Sequence, residues 1–419
     1  MKKGFLFLLV FILIAGICFF NPSIKQGFAE GEKKIKLIGV IRGGGEPNFL
    51  DYASSVNVSG NYAYVVSYND IALSIFDISD PAKPALVNSI KVKAYENKDY
   101  GAFSVCVSGN FAYIYDTGGA MLIYDISDPA GAGPQLIGSV SISFAEEYGG
   151  GRIYVKGILA YVVDTVSDGL TIVDVSDKAN PVIIGSISGA GVPNYLENPI
   201  SVTVRNDFAY IVSEDSNALT IIDVKNPKNP VLASVIKGAG EPNYLAGACG
   251  VFLDNDYAYI ASYQDGALSI IDIRNPLSPV FAGFISSKGK PNYLDGAFDV
   301  KVVNNYALVS AAIDSAISVY NVADAANPVL VDVIKGSGSP NYLKGVMNMD
   351  VSGNYLYAVS VADKALLVLD ISSFTAGNEA GTSDTPPETA GTEGQTGTID
   401  NGDVSILRQW LRIHNPNSI

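Results

Sequence analysis

The sequence predicts an all-β chain, a seven-bladed β-propeller of four-stranded antiparallel blades. Three observations predict it: one short string recurs seven times, four short apolar segments separated by turns accompany each copy, and long helical periodicity is nearly absent. The string reads ALTIIDVKNP at 218–227. Its last apolar run ends at Asp77, Asp125, Asp174, Asp223, Asp272, Asn321 and Asp370, with gaps of 48 and then 49 residues.

Composition sets the limits on class and partner. The chain has 419 residues, of which 48% are hydrophobic and 16% charged, so it has enough apolar material for a large core. The formal net charge of −15 disfavours a phosphate backbone or an anionic membrane, and we expect no nucleic-acid partner.

The first segment, 1–29, is predicted to be a signal peptide. Lys2 and Lys3 precede the apolar run 4–20, and Gly27-Phe28-Ala29 gives a small-x-small cleavage pattern. We expect cleavage after Ala29. The alternative is an uncleaved anchor, which would be slightly short for the hydrocarbon core. Two cysteines remain, and we expect Cys106 and Cys249 to be buried thiols because they lie three units apart.

One unit can be followed strand by strand from Ile200 to Leu245. Alternating or apolar segments at 201–204, 208–212, 218–224 and 231–236 are separated by polar turns, and the third segment is apolar enough for burial on both faces. The N-terminal stretch 35–50 matches 230–245, whereas the last unit, 348–372, has only three strands. The propeller is predicted to cover residues 30–373. Its first strand is therefore expected to complete the last blade and leave no open edge.

These strings resemble those of the LVIVD-repeat proteins of bacterial and archaeal exteriors. The third-strand signature stands as LTIVD at 170–174, and a second signature, VSGNYAYV, stands at 58–65 and recurs at 107–114 and 351–358. The resemblance implies a surface scaffold and assigns no common activity.

The repeated acid at the end of each third strand is interpreted as structural. One carboxylate per blade is dispersed around a disc, whereas a metal site needs ligands that converge. Each acid is instead placed to accept backbone N–H groups of the following turn. We expect no resident metal in the ring.

A recurrent loop, Gly-x-Gly-x-Pro-Asn-Tyr/Phe-Leu, joins the fourth strand to the next first strand. With the loops between second and third strands, it is expected to open on one face, here called the loop face. An aromatic ring beside an amide suits a sugar or a peptide. The alternative is that each ring wedges between blades and each Asn caps its own turn. The rings belong to Phe49, Tyr195, Tyr244, Tyr293 and Tyr342.

Departures from the repeat mark a second candidate region on that face. The loops at 95–100 and 144–151 replace the shared pattern with polar and aromatic residues. An acidic, aromatic rim would suit a cationic or polyhydroxylated partner, or Ca²⁺, the one cofactor that we consider. Solvated loops are commonly acidic as well. The candidate residues are Tyr68, Asp70, Tyr95, Tyr100, Asp116, Tyr148 and Asp168.

First-strand positions near the axis also differ from blade to blade. Arg152, Asp299 and Asp350 could line the mouth of a polar channel, or they could form ion pairs together with Lys301. We favour the pairing.

Most catalytic arrangements are excluded by residue content. The one histidine is His414, near the C-terminus, so the propeller has no Ser-His-Asp triad and no histidine metal ligand. Paired carboxylates such as Asp116 and Asp168 leave a polysaccharide hydrolase or lyase open.

The composition changes after Ser373. Residues 374–398 are rich in Gly, Thr, Glu, Ser and Pro and are predicted to be a disordered linker. Residues 399–419 carry an apolar stripe and predict a short amphipathic helix, and the stretch resembles half of a dockerin repeat. A docking or anchoring role fits this tail.

We therefore expect an exported, non-catalytic binding or scaffold module, secreted or held at the cell surface. Its partner is expected to be an extracellular protein or polysaccharide bound on the loop face, and the protein is expected to be a monomer. Contact with a membrane is expected only through an uncleaved leader or the tail. The alternatives are a polysaccharide-active enzyme and a purely structural component of a surface layer.

Overall fold

The computed structural model describes residues 34–92, 100–143 and 149–376. These residues form 28 β-strands and one short helix. The first three blades comprise β2 (Ala53–Ser59), β3 (Tyr62–Ser67), β4 (Ala72–Asp77) and β5 (Ala85–Lys91); β6 (Ala102–Ser108), β7 (Phe111–Asp116), β8 (Ala120–Asp125) and β9 (Gln135–Ser141); and β10 (Ile153–Lys156), β11 (Leu159–Asp164), β12 (Gly169–Asp174) and β13 (Val182–Ser188).

The remaining blades follow the same plan. They comprise β14 (Pro199–Arg205), β15 (Phe208–Ser213), β16 (Ala218–Asp223) and β17 (Val231–Lys237); β18 (Ala248–Asp254), β19 (Tyr257–Ser262), β20 (Ala267–Asp272) and β21 (Val280–Ser286); β22 (Ala297–Val303), β23 (Tyr306–Ala311), β24 (Ala316–Asn321) and β25 (Val329–Lys335); and β26 (Val346–Ser352), β27 (Tyr355–Ser360) and β28 (Ala365–Asp370), which β1 (Lys36–Arg42) completes. The helix α1 covers Ser372–Thr375.

The ring is closed by the first strand. β1 pairs antiparallel with β28, from Lys36 opposite Asp370 to Arg42 opposite Ala365, and so supplies the fourth strand of the seventh blade. The predicted fold is confirmed, including this closure. The paired seam leaves no unmatched edge between the first and last blades.

Burial follows the position of each strand in its blade. The third strand is buried along nearly its whole length, as in Ala218–Asp223, whereas the fourth strand is partly exposed because it lies at the rim. Apolar side chains of neighbouring blades pack into shared clusters; one joins Tyr210 and Leu219 to Leu245 and Val251 of the next blade. A glycine on the fourth strand allows the next blade to approach closely. At Gly185 an added Cβ would lie 2.1 Å from the carbonyl oxygen of Pro227.

The acids that end the third strands hold the turns that follow. Asp77 Oδ1 accepts the amide hydrogen of Ser79 at 2.8 Å, and Asp223 Oδ1 accepts that of Lys225 at 2.9 Å. Hydrogen bonding from Ser79 lowers the pKa of Asp77. The same bond recurs at Asp125, Asp174, Asp272, Asn321 and Asp370. Within the described residues, no group of three His, Cys, Asp or Glu side chains is placed to hold a metal ion.

Innermost strands have an unpaired edge toward the axis, and side chains of the adjacent blade satisfy part of it. Ser55 Oγ accepts the amide hydrogen of Val105 at 3.3 Å. Asn348 Oδ1 accepts that of Val56 at 2.8 Å, so an equivalent hydrogen bond joins the seventh blade to the first.

The two cysteines within the described ranges, Cys106 and Cys249, are free thiols. Cys249 is buried, as expected, but Cys106 is only half-buried, because it lies on an innermost strand beside the axis. In the part of the chain that the structure describes, no helix has the length and apolar character needed to cross a membrane.

Candidate binding face and axial cluster

The five recurrent loops on the loop face share one conformation. In each, the Asn side chain donates to the backbone carbonyl six residues earlier, as Asn48 Nδ2 does to Arg42 at 2.8 Å and Asn194 Nδ2 does to Ser188 at 2.8 Å. The peptide bond that precedes the proline is cis in all five loops. The leucine that follows the ring is fully buried. Each Asn therefore caps its own loop.

The aromatic residue of each loop is half-buried, and its backbone φ is positive, at 48–53°. Its support is a side chain from the fourth strand of the next blade. Lys91 Nζ lies 4.4 Å from the centroid of the Phe49 ring, Lys237 Nζ lies 4.0 Å from that of Tyr195, Lys335 Nζ lies 4.2 Å from that of Tyr293, and Arg42 Cζ lies 4.2 Å from that of Tyr342. Tyr244 instead stacks on Phe284, with centroids 4.1 Å apart. These contacts hold the five rings in place on the loop face.

Acids of the second-to-third strand loops fasten the recurrent loops to the blade. Asp70 accepts the amide hydrogens of Gly45 and Asp51, at 3.0 and 2.7 Å through Oδ2. Asp265 and Asp314 do the same for their own loops. The Asp168 carboxylate accepts one amide hydrogen, that of Asn198 at 2.9 Å, and its burial raises its pKa.

The second blade departs from this pattern at Asp116. This buried carboxylate accepts the amide hydrogens of Gly118 and Ala120 through Oδ1, and Oδ2 has no hydrogen-bond partner among the described residues. Burial raises the pKa of Asp116 to about 6, although those two bonds oppose the shift. The Tyr68 ring lies against Gly101, and the Tyr100 ring lies against Gly118. A Cβ added to either glycine would lie 2.2 Å from a carbon of the ring beside it.

The axis is filled rather than open near the loop face. An apolar cluster, here called the axial cluster, gathers one or two residues from most blades. Its buried members are Tyr52, Phe103, Ile200, Cys249, Tyr263, Phe298, Ala312, Met347 and Val361, with Tyr68 packed against them.

A buried ion-pair network lies on the innermost strands. Arg152 Nη1 is 2.9 Å from Asp299 Oδ1, and Lys301 Nζ is 3.3 Å from Asp299 Oδ2. Burial opposes ionisation of Asp299, but Arg152 and Lys301 outweigh it and hold the pKa of this carboxyl below its ordinary value. Asp350 accepts hydrogen bonds from Asn57 Nδ2 at 2.7 Å and from the Val58 amide at 2.8 Å, and its pKa is raised by burial, against the opposing charge of Lys301.

Several buried polar atoms near the axis have no hydrogen-bond partner among the described residues, and Arg152 Nη2 is one of them. Tyr52, Asn198 and Glu214 are 4%, 4% and 1% exposed, and the Tyr52 hydroxyl, Asn198 Oδ1 and Glu214 Oε1 have no hydrogen-bond partner within the described ranges. Asn198 Nδ2 donates to Glu214 Oε2 at 3.3 Å. Burial and the neighbouring Asp215 raise the pKa of Glu214 to about 7, against the effect of the Gln264 and Asn198 amides.

Comparison with known families identifies the repeat. The family model described as LVIVD repeat matches residues 51–92, 101–141, 150–188, 200–237, 247–286 and 345–385, more than half of the chain. The chain belongs to the LVIVD-repeat family. The sixth blade of this LVIVD propeller, β22–β25, has no match to the family model, and it is the blade whose anchor is Asn321 instead of aspartate.

Solved structures resemble the LVIVD propeller in fold. The β-propeller domain of Cps50 (Swd1) from Myceliophteria thermophila superposes with a TM-score of 0.59 at 11% identity, over 80% of this chain and 99% of that one. The computationally designed Ika8 protein gives a TM-score of 0.52 at 11% identity, over 77% of this chain and 98% of that one. No curated protein sequence matches the chain. At this identity the likeness shows the propeller fold alone.

The structure distributes the predicted site residues among three places. Phe49, Tyr195, Tyr244, Tyr293 and Tyr342 lie at equivalent positions around the loop face of the LVIVD propeller. Tyr68 joins the axial cluster, and Arg152 meets Asp299 across the axis, whereas Asp350 bonds to the first blade. Tyr95 and Tyr148 lie outside the described residues, as do the predicted leader, nearly all of the predicted linker, and the tail.

Sequence reasoning missed Tyr52 and Asn198 in the LVIVD propeller. Both stand at a position where the other units have glycine, namely Gly101, Gly150, Gly247, Gly296 and Gly345. Both adopt a positive φ, 55° and 53°. This backbone conformation is strained for a residue that has a Cβ atom, whereas glycine adopts it without strain. Comparing the repeats column by column would have found them. Glu214 likewise replaces the Tyr, Thr, Ala or Val of other units.

Proposed function

We propose that the protein is an exported, non-catalytic binding module that engages an extracellular polysaccharide or protein through its loop face. One observation carries the proposal: equivalent aromatic rings are displayed on that face at five blades, each fixed by a capped loop and by a cation or ring behind it. Surfaces that are rigid before binding lose little conformational entropy on binding.

The repetition favours a polysaccharide over a protein. A polymer of similar sugar rings can offer the same apolar face to several equivalent aromatic rings, and stacking between them needs little reorganisation of the protein. A protein partner would use such a face only if it were itself wide and flat. The net charge of −15 further suggests a neutral or cationic chain.

Export is part of the proposal and is supported by the leader pattern. The N-terminal pair of lysines, the apolar run 4–20 and Ala29 are the features of a signal peptide. We expect the protein recovered from outside the cell to begin at Glu30, as determined by N-terminal sequencing. A chain that retains Met1 and fractionates with the membrane would instead identify an anchor.

Ligand binding can be tested with the purified protein beginning at Glu30 on glycan and protein arrays, with and without Ca²⁺. Replacing both Tyr195 and Tyr244 by alanine is expected to weaken binding of the array hit by roughly tenfold or more, since a stacked aromatic contact contributes about 0.5–1.5 kcal/mol. The matched control is Ile158→Ala, an exposed apolar residue on the opposite face. Equal loss in both variants, or no hit on either array, would contradict the proposal.

A polysaccharide hydrolase or lyase is the second candidate, because burial raises the pKa of two carboxyls in the loop-face region to about 6 and about 7. Glu214 and Asp116 have pKa values of about 7 and 6, the range in which a carboxyl can serve as a general acid. Release of reducing ends from an array-positive polysaccharide, lost in both Glu214→Gln and Asp116→Asn, would establish the enzyme. Saturable binding without products would establish the module.

A further inference from the structure

The five recurrent loops are joined to one another in a continuous belt. In this belt, the residue whose side chain supports one ring also receives the asparagine of the next loop. Lys237 Nζ lies 4.0 Å from the centroid of the Tyr195 ring, and the Lys237 carbonyl accepts a hydrogen bond from Asn243 Nδ2 at 2.6 Å. The ring of one loop and the cap of the next are therefore held by the same residue.

The same link recurs along the belt. At two further blades the carbonyl of the supporting residue accepts the asparagine of the next loop at 2.7 and 2.8 Å. The link at Tyr244 is aromatic: its ring stacks on Phe284, two residues before Ser286, whose carbonyl accepts a hydrogen bond from Asn292 Nδ2 at 3.4 Å. The supporting residue, the ring and the next asparagine at the first two of these links are Lys335, Tyr293 and Asn341, and Arg42, Tyr342 and Asn48.

The belt follows the curve of the propeller. Its rings lie in the loops that lead from the third blade to the fourth and onward, blade by blade, to the loop between the seventh blade and the first. The segments 95–100 and 144–151, at the other two junctions, lack the recurrent sequence. The belt is thus an open arc, and a straight rod laid on an arc meets only rings that are neighbours.

The charges beside the belt favour a neutral ligand. The lysine and arginine that support rings also bond to protein oxygens: Lys335 Nζ donates to Tyr293 Oη at 2.9 Å, and Arg42 Nε donates to the Asp363 carbonyl at 3.3 Å. The exposed residue before each loop proline is acidic, basic or uncharged in different blades, and the belt therefore displays mixed charge, which suits an uncharged chain. These residues are Glu46, Val192, Glu241, Lys290 and Ser339.

We propose that the belt is one track for a single neutral glycan that curves, of the β-1,3-glucan class, with its sugar rings stacked at intervals on the five aromatic rings. The proposal rests on the loop-face function proposed above and names its ligand class. Each aromatic residue is half-buried, so part of its ring remains accessible for stacking. A β-1,3-linked chain of glucose curves, whereas a β-1,4-linked chain is a straight ribbon. The curved chain can follow all five rings, and the straight chain meets adjacent rings only.

Chain length tests the track on the unaltered protein. The protein beginning at Glu30 is titrated calorimetrically with β-1,3-linked glucose oligosaccharides of increasing length and with β-1,4-linked ones of the same lengths. Affinity in the β-1,3 series is expected to rise by roughly two- to tenfold for each further ring that the chain reaches, and long chains should bind with a stoichiometry of one. The β-1,4 series should stop gaining affinity once two neighbouring rings are covered. Affinity independent of length, with several short sugars bound per protein, would overturn the track.

Single variants measure the contribution of each ring. Replacing any one ring by alanine is expected to weaken binding of long β-1,3-glucan by roughly two- to tenfold, at the ends of the arc as well as in its middle. Ile158→Ala, on the opposite face, is the matched control and should bind as the wild type does. The ring variants are Phe49→Ala, Tyr195→Ala, Tyr244→Ala, Tyr293→Ala and Tyr342→Ala.

Failure of the track and failure of the loop-face function give different results. Loss confined to two adjacent rings would replace the track by a local site and leave the loop-face function standing. Tighter binding of β-1,4 than of β-1,3 chains at equal length, or a protein as the array hit, would overturn the curved-glycan assignment in the same way. Absence of any glycan or protein hit would overturn both proposals together.

Discussion

At the residue scale, the informative positions are those where a unit departs from most of its sister units. Glu214, Asn198 and Tyr52 are such departures, and each carries a buried oxygen without a hydrogen-bond partner among the described residues. Repetition accounts for packing, since every interface between blades needs the same residues. A buried carboxyl that occurs in one unit alone, such as Glu214, is not explained by repeated packing. Its ionisation is expected to affect stability.

Glu214 predicts a fall in stability as the pH rises. Its pKa is 4.5 in the unfolded chain and about 7 in the folded protein, so the folded state binds the proton more tightly. Below pH 4.5 Glu214 is protonated in both states, so its ionisation does not change the free energy of unfolding. Between about pH 4.5 and 7 the free energy of unfolding should decrease, by roughly 3 kcal/mol in total. Urea denaturation from pH 4 to 8 measures this decrease.

Glu214→Gln should flatten that curve, because the amide has no proton to lose. Asp116, whose pKa is also raised, should leave a smaller decline. Glu46→Gln serves as the control and should follow the wild-type curve. Parallel curves for wild type and Glu214→Gln would show that the carboxyl is not buried in the folded state.

Gly250 provides a second prediction at this scale. An added Cβ would lie 2.6 Å from the carbonyl oxygen of Phe298 and 2.9 Å from Asp299 Cα, both in the backbone of the neighbouring innermost strand. Gly250→Ala should therefore destabilise the fold by about 1–3 kcal/mol. Gly191→Ala is the matched control, since nothing lies within 4 Å of its added Cβ. Thermal denaturation of both variants tests this prediction. Equal melting temperatures would show that the backbone at Gly250 does not approach the neighbouring strand so closely.

At the scale of the element, each loop on the loop face is held by contacts that the repeat makes predictable. The spacing of Asn and Tyr within the loop predicted either a ligand surface or a cap and wedge, and the observed bonds from Asn48 and Asn194 are caps. The role of Asp70 and its equivalents was not predictable from spacing. The carboxylate bridges two loops that are 19 to 25 residues apart, and only the folded blade brings them together.

Asp265 tests this bridge. Its carboxylate accepts the amide hydrogens of Gly240 at 3.0 Å and Ala246 at 2.8 Å. Asp265→Ala leaves both amides without that partner and should cost roughly 2 kcal/mol. Hydrogen exchange should quicken at these two amides in particular. Asp256→Ala, an exposed acid on the opposite face, is the control; exchange that changes equally in both variants would argue against the bridge.

At the scale of the whole molecule, the circular arrangement was predictable because the N-terminal stretch reads as a fourth strand and the last unit lacks one. The structure confirms that pairing. The filled axis was less predictable. Arg152 and Asp299 come from blades three units apart, and their approach depends on the diameter of the ring, which no local pattern encodes.

Removing the first strand tests the closure. A chain that begins at Gly43 lacks β1 and exposes the edge of β28 together with the apolar residues that β1 covers. We expect a large loss of thermal stability and concentration-dependent association through the open edge. A chain that begins at Glu30 keeps β1 and is the control. Equal melting temperatures and equal monomer fractions by light scattering would show that the ring does not need its closing strand.

Closure also decides where the propeller can be held. Lys34 donates its amide hydrogen to Ser373 Oγ at 3.1 Å, so the two ends of the ring meet at one point. That point is on the side away from the aromatic rings, because β1 runs from Lys36 toward the recurrent loop at Gly43. A tether attached at either end of the ring would therefore leave the five aromatic rings facing away from the point of attachment.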